Sequence, residues 1–174
     1  MIGSLIRGRR ERRRMENDPV SYARSLGVQV GDDCRFLGVD GWTFGSEPYL
    51  IRIGNHVTVT GGVRFVTHDG GVWVFRDKEP ALEVFGPITV GSNVFIGLNV
   101  VLMPGVTIGD NCIVGAGSVV TKDVPSGMVA VGCPARSIRP IAEYRERLGD
   151  RATFIRDLSP EAKRANLMTR FFGK

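Results

Sequence analysis

Between Val90 and Val120 aliphatic residues recur at every sixth position, at Val90, Ile96, Leu102, Ile108, Val114 and Val120, and Gly91, Gly97, Gly109 and Gly115 follow four of them. A smaller apolar position lies four residues behind each, at Val94, Val100, Val106, Cys112 and Val124, with Ser118 as its polar exception. A period of six fits neither a helix, at 3.6, nor a strand, at 2. Two inward positions per hexad describe a short strand and a turn. Short fixed repeats of this kind mark solenoids, and a hexapeptide period marks the parallel β-helix, in which three hexads close one triangular coil.

The register extends backwards through Ile53, Val59 and Gly54, with Val57 and Val63 behind them, and reaches Val30, Gly31 and Cys34. A further aliphatic position recurs at Val28, Ile51, Ile88 and Val106. The pattern therefore predicts an all-β solenoid over residues 26–125, interrupted twice, and not a β-sandwich, whose strands vary in length. Gly91-Ser92-Asn93 and Gly109-Asp110-Asn111 are its corners, because these residue types enter the left-handed backbone region at low cost.

Helices are expected only at the ends. Asp18-Pro19 reads as an N-cap with proline at the first helical position, starting a helix that runs to about Leu26. Pro140 to Leu148, stopped by Gly149, and Ser159-Pro160 to about Phe172 are two more. The organisation expected is a basic arm and short helix over 1–25, the β-helix domain over 26–139 with an inserted loop at 69–87, and a helical extension over 140–174.

Composition narrows the picture. The net charge of +5 is local, since Arg7, Arg9, Arg10, Arg12, Arg13 and Arg14 against Glu11 supply it, and the remaining 17 basic and 17 acidic residues cancel. No aromatic residues interleave with these arginines, so a nucleic-acid surface is not expected. A weak contact with an anionic membrane surface stays open for this arm, with Ile2, Leu5 and Ile6 as its apolar side. No run reaches the length of a membrane span and no secretion signal is visible, so a cytoplasmic protein is expected, with the inner membrane face as the alternative. The three cysteines have no metal or redox spacing.

Candidate chemistry is sparse. The two histidines are His56 and His68. A zinc centre of three histidines at each interface of a trimer would need more than these supply, so no metal is expected. His56 lies in a turn, Gly54-Asn55-His56, and reads as structural. His68 lies in Phe65-Val66-Thr67-His68-Asp69-Gly70-Gly71, where the repeat stops and the long excursion begins. Imidazole is the side chain suited to take a proton from a hydroxyl near neutral pH. Two carboxylates could hold its tautomer, Asp69 beside it and Glu47 one coil earlier, with Glu47 preferred. Trp73, Phe75 and Phe85 in the excursion are expected to wall a substrate pocket.

The stretch IGDNCIVGAGSVVTKDVPSGMVAVGCPARSIR, Ile108 to Arg139, together with Thr67-His68-Asp69-Gly70-Gly71, resembles the hexapeptide-repeat acyltransferases, in the branch of maltose and galactoside O-acetyltransferases and polysaccharide O-acetyltransferases. The resemblance spans about residues 26–139. It implies a left-handed β-helix and a homotrimer with active sites between subunits. It further implies acetyl-coenzyme A as donor, a saccharide acceptor and His68 as general base. Ala116, Thr121 and Lys122 match positions along the coenzyme A path, and Arg136 and Arg139 match basic residues near its phosphates. The chemistry of the residues agrees: cations suit phosphates, and Gly115-Ala116-Gly117 permits close backbone approach. Leu98 departs from the family pattern, standing one coil before Ala116 where a small or hydroxylated residue is usual. An N-acetyltransferase of an amino sugar nucleotide and a non-catalytic scaffold are the alternatives.

Overall fold

The computed structural model describes residues 13–173. The arginines at 7, 9, 10 and 12 and the apolar side at Ile2, Leu5 and Ile6 lie outside the described residues. Two compact units divide between Ala142 and Glu143.

Within the first unit, α1 (Pro19–Ser25) is capped by Asp18, whose carboxylate accepts from Ser21 N–H at 3.0 Å. The strands that follow are mostly two residues long. β1 (Gln29–Val30), β3 (Ile51–Ile53), β6 (Ile88–Val90) and β9 (Thr107–Ile108) form sheet A. β2 (Arg35–Phe36), β4 (Thr58–Val59), β7 (Phe95–Ile96) and β10 (Ile113–Val114) form sheet B, which β12 (Met128–Gly132) and β13 (Ala135–Pro140) extend. β5 (Arg64–Phe65), β8 (Val101–Leu102) and β11 (Val119–Val120) form sheet C. All pairings are parallel except β12 with β13. The chain thus visits three parallel sheets in rotation, and each coil lies one strand spacing, about 4.8 Å, above the last.

The hexad positions form the core. Val90, Ile96, Leu102, Ile108, Val114 and Val120 are buried, as are Val94, Val100, Val106, Cys112 and Val124 behind them. Ser118 is buried too, and its hydroxyl donates to Gly115 O at 2.6 Å while accepting from Gly132 N–H at 3.1 Å. A hydroxyl at this inward position closes one corner and ties β12 to the coil below it, so its polarity is satisfied.

The corner between sheets A and B is a polar ladder. Backbone N–H groups of Asp32, Asn55, Ser92 and Asp110 donate to side-chain oxygens of Asn55, Ser92, Asp110 and Ser126, each in the next coil, at 2.6–3.1 Å. Asp33, His56, Asn93 and Asn111 stack there with φ of 54° to 56°. His56 Nδ1 stands 2.9 Å from Asn93 Oδ1, which places that histidine in the ladder.

The first coil lacks a strand on sheet C. Residues 37–50 replace it, and Phe44 fills the core position, 2% exposed, with its ring 5.6 Å from Phe65 and 5.9 Å from Phe36. Thr43 O accepts from Phe65 N–H at 2.8 Å, where a strand would have paired.

Two expectations are corrected. Residues 128–140 form an antiparallel hairpin and not another coil, with Ile138 bulged out opposite the Val129/Ala130 step. Pro140 closes β13, so the helix expected from Pro140 to Leu148 is the shorter α2 (Ile141–Glu146): a residue already held in a strand cannot start it. In the second unit, α3 (Pro160–Phe172) begins at the Ser159 cap, which accepts from Ala162 N–H at 3.2 Å.

Candidate active site

Two departures from the repeat meet at the corner between sheets C and A. The first, residues 37–50, returns to β3 past Ser46 and Glu47. The second leaves β5 at Thr67-His68 and comes back at Phe85-Gly86, closed by Asp69 N–H to Val84 O and Gly86 N–H to Thr67 O, both 2.9 Å. Gly45 allows the first loop to come this close. Its φ is +62°, and a Cβ there would stand 2.8 Å from Phe65 O, so any other residue would push Ser46 and Glu47 outward.

The result is a hydrogen-bonded cluster. Glu47 Oε2 lies 3.4 Å from His68 Nδ1. It accepts from Ser46 Oγ at 2.8 Å and from the buried Thr67 Oγ1 at 3.1 Å. Ser46 Oγ is itself 3.2 Å from His68 Nδ1. With its proton given to Glu47, the serine turns lone pairs toward Nδ1. An ionised carboxylate only accepts. Nδ1 therefore carries the proton, and Nε2 holds the lone pair that can take one from a substrate. The Glu47 side chain is 16% exposed and that of His68 is 42% exposed, which leaves the imidazole in reach of a ligand and the carboxylate sheltered.

Asp69 is not part of this cluster. Its carboxylate turns away to cap the 3-10 helix Gly70–Phe75, accepting from Gly71 N–H at 2.8 Å, since a free helical N–H is the nearer donor. Of the three excursion aromatics only Phe85 faces the imidazole, with ring centroids 6.5 Å apart. Trp73 lines a separate recess with Val74, Arg76 and Asp77, and Phe75 is exposed. The capped 3-10 helix and the Arg76–Glu83 ion pair at 2.7 Å fix the loop in that direction.

Beside His68 lies a cleft of about 300 Å³ lined by Trp42, Gly45, Arg64, Phe65, Val66 and His68. Arg64 pairs with Asp40 through both guanidinium nitrogens, at 3.0 and 2.9 Å. Burial pushes the Asp40 carboxyl up, but the Trp42 N–H, Arg64 and the Thr43 hydroxyl outweigh this and hold it below the ordinary carboxylate range. Ser46, Thr67 and Trp42 are residues that sequence reasoning missed. Ser46 and Thr67 adjoin Glu47 and His68 in the chain, which was the available signal.

The remaining candidates lie at the two edges of sheet C and on β13 of sheet B. Thr121 and Lys122 follow β11 at the same corner as His68, two coils away, or about 10 Å along the stack. Gly115, Ala116 and Gly117 form the opposite corner, after β10. Ala116, Thr121, Lys122 and Arg136 are exposed, and nothing lies within 4 Å of the place a Cβ would take on Gly117. A Cβ on Gly115 would meet Val131 Cγ1 at 2.7 Å, so this glycine serves packing as well. Arg136 and Arg139 lie on β13, opposite Val131 and Val129. Leu98 is 55% exposed, at the corner that carries Ala116 in the next coil. Among the described residues no group of His, Cys, Asp and Glu side chains has a metal-binding arrangement.

Comparison with known proteins identifies the family. The family described as hexapeptide repeat of succinyl-transferase matches residues 87–122. Protein CapG of Staphylococcus aureus is 53% identical over 148 residues, covering 85% of this chain and 86% of that protein. The chain belongs to the hexapeptide-repeat acetyltransferase family. A second relative, galactoside O-acetyltransferase of Escherichia coli (strain K12), is 45% identical over 95 residues, which are 55% of this chain and less than half, 46%, of that enzyme. Among solved structures, the hexapeptide-repeat acetyltransferase VCA0836 of Vibrio cholerae, complexed with acetyl coenzyme A, superposes with a TM-score of 0.51 at 28% identity, over 72% of this chain and 77% of that one. As a member of this family the chain is an acyltransferase, and the cluster at His68 has the parts such chemistry needs: a half-exposed imidazole, a sheltered carboxylate on one of its nitrogens and a cleft beside it.

Proposed function

We propose that this protein transfers an acetyl group from acetyl-coenzyme A to a hydroxyl of a saccharide or polysaccharide intermediate, with His68 as general base. The observation that carries the reading is the Glu47–Ser46–His68 arrangement, which fixes the imidazole tautomer with Nε2 as proton acceptor. Acetyl-coenzyme A supplies an activated thioester when bound. His68 Nε2 takes the proton of the acceptor hydroxyl as its oxygen bonds to the acyl carbon, and passes that proton on to the departing sulfur or to solvent. Glu47 stabilises the imidazolium that exists between these two transfers. Ser46 and Thr67 hold the carboxylate in place.

On this reading the coils wind left-handed and the protein is a homotrimer. The exposed Ala116 and Gly117 offer backbone approach to the pantetheine arm, while Lys122, Arg136 and Arg139 offer cations to the phosphates. Ala116 and Gly117 occupy the edge of sheet C opposite Thr121 and Lys122, which share the His68 edge, and Arg136 and Arg139 lie on β13 of sheet B. A groove shared by two neighbouring subunits, one contributing each edge, would reunite them. No helix among the described residues is long and apolar enough to cross a membrane. A cytoplasmic protein fits the reading, with the arginine arm as a candidate for contact with the membrane face. The name of the galactoside enzyme supports a carbohydrate acceptor.

The test is mass-spectrometric detection of acetyl transfer to a panel of sugars, sugar nucleotides and glycan fragments. A product that loses its acetyl group in mild base is an ester and supports the proposal. A base-stable amide would replace it with transfer to an amino sugar, and absence of any transfer across the panel would count against both.

A further inference from the structure

Trp42 is 79% exposed, yet it sits on a turn held by several hydrogen bonds. Its N–H donates to Asp40 Oδ1 at 2.9 Å, and Arg64 clamps both oxygens of the same carboxylate. Thr43 Oγ1 adds a bond to Asp40 at 3.2 Å. On the next two positions Thr43 and Phe44 are buried, and Thr43 O is bonded to β5. An exposed indole forgoes the burial of a large apolar surface, of order 150–250 Å². A chain that holds its backbone fixed while leaving the ring in water has preorganised it for a ligand, which lowers the ordering cost of binding.

The ligand class follows from the cleft. Trp42 lines it together with His68, so whatever stacks on the indole lies beside the proton acceptor. A volume of about 300 Å³ is at the lower end of ordinary ligand sites, roughly 300–1,000 Å³, and suits a single ring. Arg64, the cation among the lining residues, is already neutralised by Asp40, so the cleft has no unpaired positive charge for a phosphate. A pyranose fits these conditions, with an apolar C–H face for the indole and hydroxyls at its rim for His68. We infer that Trp42 is the stacking platform for the sugar ring that accepts the acetyl group. The inference rests on the acetyl-transfer reading for the ring's role as acceptor, but the binding it asserts can be measured without transfer.

Tryptophan occurs twice in the sequence, so Trp73→Phe leaves Trp42 as the only indole. Titration of that full-length variant with glucose, galactose, N-acetylglucosamine and maltose should change its emission saturably for at least one sugar. No change with any of them overturns the inference, as does a change produced by coenzyme A and by no sugar. With an acceptor in hand, Trp42→Ala should raise its KM roughly 3- to 10-fold while the KM for acetyl-coenzyme A stays put, and Trp42→Tyr should recover most of the loss. An unchanged acceptor KM in Trp42→Ala sinks the platform and leaves acetyl transfer standing. Sugar binding at Trp42 without transfer does the reverse.

Discussion

Phe44 links the fold to the site, and Phe44→Ala tests that link. The ring is 2% exposed and stands between Phe36 and Phe65 at the level where the first coil has no strand on sheet C. Truncating a buried phenylalanine costs about 3–5 kcal/mol, because transfer energy and a residual cavity add. The site is at the upper part of that range, since the lost ring makes two aromatic contacts. For a chain of this size each kcal/mol moves Tm by about 2–4 °C, so about 4–5 kcal/mol gives a fall of about 8–20 °C. In a stack of coils the damage falls on the nearest neighbours. Hydrogen exchange should therefore speed up over residues 37–50 before it does over residues 90–125. Phe44→Leu keeps most of the volume and should cost under about 1.5 kcal/mol. The assay is calorimetry at one fixed protein concentration, as association would otherwise move Tm. A Phe44→Ala protein that melts within about 2 °C of the native one, with unchanged exchange over 37–50, would show that the loop is held by something else.

Glu47→Gln keeps the shape and removes the charge 3.4 Å from His68 Nδ1; an ion pair with a half-exposed partner is worth about 1 kcal/mol, so kcat should fall about 3- to 10-fold. Asp69→Asn, which retains the cap on Gly71, should stay within about 2-fold in the same steady-state assay. Asp40 has a folded pKa below its unfolded value, so the stability it confers is complete above the ordinary carboxylate range and is lost as pH falls through the depressed value. Melting temperatures of Asp40→Asn and the native protein should accordingly differ at neutral pH and converge in strong acid. Gly97→Ala would set a Cβ 2.6 Å from Ala116 N, an overpacking cost of about 1–3 kcal/mol that thermal denaturation will show.

The coil stack was legible because each inward position carries its own signal: a residue at the wrong place in a hexad would put a polar group in the core. Corners were legible for a related reason, since Asn93 and Asn111 take left-handed backbone angles. Phe44 was not, because a single aromatic outside the register has no period to announce it. The closing hairpin was missed because Met128-Val129-Ala130-Val131 carries apolar residues much as a coil strand does, and nothing local says that the partner strand runs antiparallel. At the site, His68 stood out where the repeat fails, and Glu47 is one coil below it. Ser46, Thr67 and the outward turn of Asp69 depend on side-chain directions set by Gly45 and by the 3-10 cap, which spacing alone does not encode.

The central claim is that His68 moves the proton. The direct measurement is the rate of acetyl transfer by His68→Ala against the native chain, with coenzyme A binding followed by calorimetry on both. The account predicts a rate lower by about 10²- to 10⁴-fold with coenzyme A affinity retained, the range that general-base catalysis supplies. A His68→Ala protein that transfers within a few-fold of the native rate would contradict it.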